Sequence, residues 1–159
     1  MNRGGGMTQG RRIRSAFALA LLIACASKPA SATLGGSVTS VIRHHAAWKM
    51  AHSVRAMQKY SVHQGRTPSG SVLREYVNPS GKVFAVVWDG ESDLQWSDLL
   101  GEYTDRYFAA ARTSRKGLHL VTANDGAFQC AVFRSTRVWM GHAVLTSAMP
   151  IGVTDAELR

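Results

Sequence analysis

The sequence predicts an α+β domain: an antiparallel sheet of about five or six strands with one main helix packed on it, plus a weaker N-terminal helix. Three observations predict it. Apolar residues alternate with a period of two in several separate segments. Short turn signals such as Asn78-Pro79-Ser80-Gly81 and Asn124-Asp125-Gly126 divide those segments. A single wide apolar helical face lies between them, over residues 92–111. Strands joined by turns this short must pair antiparallel.

Before the domain comes a leader. Arg11-Arg12-Ile13-Arg14 is followed by the uninterrupted apolar run from Ala16 to Ala26, and then by Ala30-Ser31-Ala32. A basic start, an apolar run too short to span a bilayer and a small-residue exit together read as a signal peptide over residues 1–32, cleaved after Ala32. The chain is then an exported domain of residues 33–159, in the periplasm or secreted. Leu22-Ile23-Ala24-Cys25 permits a second route, in which Cys25 is lipidated and an acyl chain anchors an outer-membrane lipoprotein. A membrane contact is expected only in that case.

The leader also changes the meaning of the charge. The chain carries +9, but residues 1–32 hold Arg3, Arg11, Arg12, Arg14 and Lys28 and no acidic residue, so removing those five charges leaves +4 on residues 33–159. The remaining charge is scattered. Nucleic-acid binding needs a continuous basic footprint, and this distribution excludes it as the expected function.

In chain order, Thr33 to Ser40 is Gly-rich and expected to be poorly ordered at its start. Ala47, Met50, Ala51, Val54 and Met57 recur at spacings of three and four, which predicts a helix over 41–59. Strands are expected at 60–66, 71–77 and 82–88. The last is apolar on both faces and so should lie centrally. Ser92 to Gln95 fits a capping box opening the main helix, whose Trp96, Leu99, Leu100, Tyr103, Tyr107 and Phe108 should cover the sheet. Arg112 to Gly117 should close that helix with positive charge and a Gly. Strands follow at 118–122, 127–134 and 138–145, then a loose tail.

Several segments resemble a known family. Leu34-Gly35-Gly36, the run from Pro68 to Val77 (PSGSVLREYV), the stretch from Gly81 to Gly90 (GKVFAVVWDG) and the stretch from Asp98 to Tyr103 (DLLGEY) look like the exported proteobacterial family called domain of unknown function 2844. The resemblance covers nearly all of residues 33–159. Such proteins tend to place Pro where this chain has Glu91 and Ser97, which bears on loop conformation. The resemblance implies export and one small domain, and brings no activity and no catalytic residue.

The chemistry-bearing residues form no familiar catalytic pattern. There is no Gly-x-Ser-x-Gly elbow and no phosphate-cradling Gly loop in residues 33–159. Asp89, Glu91, Asp93 and Asp98 crowd a loop and helix start, where turn and dipole roles explain them. Cys130 lies between Phe128 and Val132 in an apolar run and reads as a buried, inert thiol; a Cys-based enzyme is the rival reading. His44, His45 and His52 would share an arc of one helix with Trp48 between them, and are the metal candidates. Yet no His pair has the three- or four-residue spacing of a helical chelate, and Met50 and Met57 project on the opposite face. The simpler reading is a solvated, His-bearing helix face, with no cofactor. Alternation along the strand at 71–77 sets Glu75 opposite Arg74 and Tyr76; the three residues, between two turns, are a candidate polar recognition face. Trp139 reads as core packing. The expected function is a non-catalytic envelope or periplasmic protein that binds a partner protein or envelope component.

Overall fold

The computed structural model describes residues 33–91, 95–114 and 119–158. The leader, with Ala30, Ala32 and Cys25, lies outside the described residues. So do Ser92 and Asp93 of the expected capping box and the Arg115-Lys116-Gly117 helix end.

Helix α1 (Val38–Ala47) is followed by strands β1 (Ala51–Ala56), β2 (Ser61–Arg66), β3 (Val72–Val77) and β4 (Val83–Gly90). Helices α2 (Trp96–Leu100) and α3 (Thr104–Thr113) come next, joined by a short 3-10 turn over Gly101–Tyr103. Strands β5 (Leu120–Asn124), β6 (Phe128–Arg134) and β7 (Trp139–Leu145) complete the sheet. All seven strands form one antiparallel sheet in the order β1-β2-β3-β4-β7-β6-β5. The one non-sequential step is β4 to β7, across which α2 and α3 travel. The apolar strand β4 is central, as its two-sided sequence required.

The sheet holds one strand more than the upper expectation, because the helix expected over 41–59 ends at Ala47. Lys49 takes a positive φ of 53° and turns the chain, and residues 51–56 then pair with β2. The Ala-rich stripe offered too little burial to extend the helix, whereas pairing satisfies one edge of the strand's backbone. Nor is the start of the domain loose. Thr33 is fully buried, its N–H donates to the Asp98 carbonyl at 2.8 Å and its hydroxyl to that of Leu99 at 3.0 Å. Ser37 caps α1, accepting from the Ser40 N–H. Gln95, not Ser92, is the N-cap of α2, and its side chain makes no capping bond.

The register separates the two faces of the sheet. One face carries Leu73, Val77, Val86, Trp88, Cys130 and Val132, and packs under the helices with Val41, Leu99, Leu100 and Tyr107 in the main core. The opposite face carries a smaller core of Tyr60, Tyr76, Phe84, Ala85 and Val144, closed by Val153 and Leu158 of the C-terminal segment. That segment is docked, contrary to the expected loose tail: a capping box at Thr154 and Glu157 shapes its last turn.

Candidate functional site

Two places concentrate chemistry, one on each face of the sheet. Beneath α1, the imidazole of His45 meets the carboxylate of Glu75 at 2.6 Å, and both side chains are almost wholly buried. His52 on β1 stands edge-on to His45, with ring centroids 4.6 Å apart. Its Nε2 lies 3.3 Å from Nδ1 of His63, and the two rings stack. Nε2 of His63 then reaches the Ser61 hydroxyl at 3.3 Å. A polar chain therefore runs from Ser61 through His63 and His52 to His45 and Glu75, in contact throughout.

The register explains this convergence. Glu75 faces His63 across β3 and β2, His52 faces Gly65 across β1 and β2, and all point to the helix side. Gly65 makes the room: a Cβ there would stand inside contact distance of Met50 Sδ and 2.9 Å from Nε2 of His45. Burial raises the pKa of Glu75, against which its bond to His45 acts. Burial lowers the pKa of His63 and of His52, and neighbouring imidazoles lower both further.

These positions revise the expected His-bearing helix face. His45 is buried rather than solvated, and His52 belongs to a strand. His44 turns elsewhere and stacks on Trp48 at 5.6 Å. Met50, expected opposite the histidines, lies beside Gly65 on the same side as His45. Among the described residues no three imidazole, thiolate or carboxylate donors converge as metal ligands.

The second place is the face away from the helices. Arg74 and Tyr76 stand there with Arg55, Gln64 and Arg66, by the alternation of β1, β2 and β3. The candidate recognition face therefore divides: Glu75 points the other way and is completely buried. Sequence alternation alone placed Arg74 and Tyr76 opposite Glu75; the burial of the carboxylate depended on α1 arriving with His45. Arg74 donates from Nε to the Gln64 amide oxygen at 3.2 Å. A groove of about 520 Å³ runs over β1 to β3, lined by Arg55, Tyr60, Gln64, Arg74 and Tyr76 with Glu157 at its rim. A second, more open one of about 370 Å³ crosses β4 to β5 past Val87, His142, Phe133 and Met140. Arg74 lines both. Leu120, Phe133 and Met140, mutually adjacent by register, are each more than two-fifths exposed.

A match to the family model spans residues 30–158. The chain belongs to the family described as protein of unknown function (DUF2844). No curated protein and no solved structure matches it. In this DUF2844 chain the segments that carried the resemblance build β3 with the turn before it, the whole of β4, and the end of α2 with its 3-10 turn. They thus supply Arg74, Glu75 and Tyr76 as well as the sheet centre. Among the described residues no helix is long and apolar enough to cross a membrane.

Cys130 and Trp139 both belong to the helix side of the sheet. Trp139 is half-buried, packs on Trp96 at 5.4 Å and lies under the Arg134 guanidinium at 4.0 Å. Cys130 is a free thiol in the main core, and burial pushes its pKa up to about 12. At pH 8 roughly one molecule in ten thousand then carries the thiolate, the nucleophilic form. Alkylation of Cys130 in the folded protein, followed by peptide mass spectrometry, is expected to run at least about a hundredfold slower than in urea.

Proposed function

We propose that this DUF2844 protein is an exported, non-catalytic binding protein that holds an extended acidic and apolar polypeptide segment of an envelope partner across the sheet face away from its α-helices, beside the docked C-terminal segment. One observation carries the reading: Arg74 sits at the junction of two grooves on the face that no α-helix among the described residues covers, beside the docked C-terminal segment. Charge complementarity selects the partner. Arg55, Arg66 and Arg74 share that face, while its acidic groups are Asp89 and the rim residue Glu157. The exposed Leu120, Phe133 and Met140 supply apolar contact beside them, and apolar patches rimmed by charge serve association. The two grooves share Arg74, so one extended chain can lie along both. The leader read at residues 1–32 supports a location in the periplasm or outside the cell.

Fluorescence polarisation with two labelled peptides of equal length tests this, one alternating Glu with Leu and Phe, the other alternating Lys with the same residues. The acidic peptide is expected to bind more tightly, and Arg74→Glu to weaken it by about tenfold or more. Arg112→Glu, on the helix side, should leave binding unchanged. Equal binding of both peptides, or indifference to Arg74→Glu, would overturn the reading.

A further inference from the structure

The chain of imidazoles beneath α1 has no part in the proposed binding face, and its geometry has a consequence of its own. Strand β1 is an edge strand, exposed along its whole length, and β2 is its one sheet neighbour. On the helix side its main polar attachment is His52, bonded to His63 and set edge-on to His45. We propose that His52 and His63 form an acid-sensitive latch that holds β1 against the sheet at neutral pH and releases it, as a local opening, when both rings are protonated.

The hydrogen-bond inventory gives the reason. Two neutral imidazoles pair well, since each offers one donor and one acceptor. One shared proton still leaves an acceptor. With two protons both rings are donors only, so the bond across 3.3 Å is lost and replaced by repulsion between like charges. The surroundings do little to help. The ionisable groups facing the pair are His45 from α1 and Glu75 from β3, and Glu75 is already engaged with His45. His44, also on α1, sits nearer Asp98 and Arg43. His63 is buried, so a charge on it is poorly solvated. The ring of His52 is the wetter of the two, which lets protons and water reach the pair.

The sign of the pH dependence follows. Both rings have a pKa below the ordinary 6.5 in the closed structure, and regain that value when β1 opens into water. The open form then binds more protons, so closure is fully favoured above pH 6.5 and weakens as pH falls below it. Glu75, raised by burial, acts in the opposite direction from its ordinary 4.5 upward. The histidines act over about pH 7 to 5.5, and a variant that lacks them but keeps Glu75 separates the two effects.

Amide hydrogen exchange across that window tests the latch, with rates corrected for intrinsic base catalysis. In the wild-type protein the protection of the β1 amides and their β2 partners is expected to fall by about tenfold or more, while the β3–β4 amides hold theirs. In H52Q/H63Q the side chains can still hydrogen-bond but cannot charge, and the fall should vanish. If the double variant does not fold, H52Q alone, on the exposed strand, should halve the logarithmic slope. H142Q, outside the cluster, should leave the slope at the wild-type value. Wild-type β1 protection that changes less than about twofold, or a wild-type slope retained when His52 is replaced, would overturn the proposal. Peptide binding plays no part in this readout, so the latch and the proposed function fail separately.

Discussion

Glu75→Ala is expected to lower the free energy of unfolding by about 3–5 kcal/mol, read as a drop in the urea midpoint at pH 7. The carboxylate is completely buried and sits 2.6 Å from an imidazole that is equally hidden. Removing one member of such a pair strands the other without water or a partner, which costs more than the pair was worth. The substitution also opens a void between β3 and α1. Glu75→Gln is the informative companion. It keeps the volume and an oxygen that can accept from His45, so its cost should be well under that of Ala. A midpoint for Glu75→Ala within about 0.5 kcal/mol of wild type would show that water reaches this pair and that α1 does not seal it.

Phe84→Ala is expected to cost about 3–5 kcal/mol and to loosen the C-terminal segment. Phe84 is fully buried and meets Tyr60 and Tyr76 at ring-centroid distances of 5.9 and 6.2 Å. Val153 and Leu158 dock on the same cluster. Taking the ring away removes its transfer energy and leaves a cavity that a central strand cannot collapse to fill. The docked segment loses its seat, so limited proteolysis should cut within residues 149–158 sooner than in the wild type. Phe133→Ala is the control. The same chemical change on an exposed ring of the proposed binding face should cost well under 1 kcal/mol.

The two expectations differ in what made them visible. Phe84 lies in a run whose apolar residues fall on both faces, and that pattern alone marks a central strand. The turns at Asn78 to Gly81 and Asn124 to Gly126 were equally plain, because Pro, Gly and Asn fix backbone angles locally. The buried role of Glu75 was not legible. Alternation put it opposite Arg74 and Tyr76, but which face would be dry depended on where α1 came to rest. The same limit explains residues 51–56. Their spacing of three and four fits a weak helix, yet a six-residue segment with Val, Ser and His pairs as readily with a neighbouring strand. The burial of Cys130 was readable, since its apolar neighbours in sequence are also its neighbours in space.

By itself the sequence determined the α+β class, the positions of six of the seven strands, the family, and the apolar face of the helical segment after β4. Each follows from local angles or from a periodicity carried by consecutive residues. The tertiary structure alone decided that the histidines of α1, β1 and β2 meet a carboxylate from β3, that residues 51–56 become an edge strand, and that Arg74 joins two grooves. Those outcomes depend on register and on which element lands on which face, and such long-range contacts leave no periodic trace in the chain.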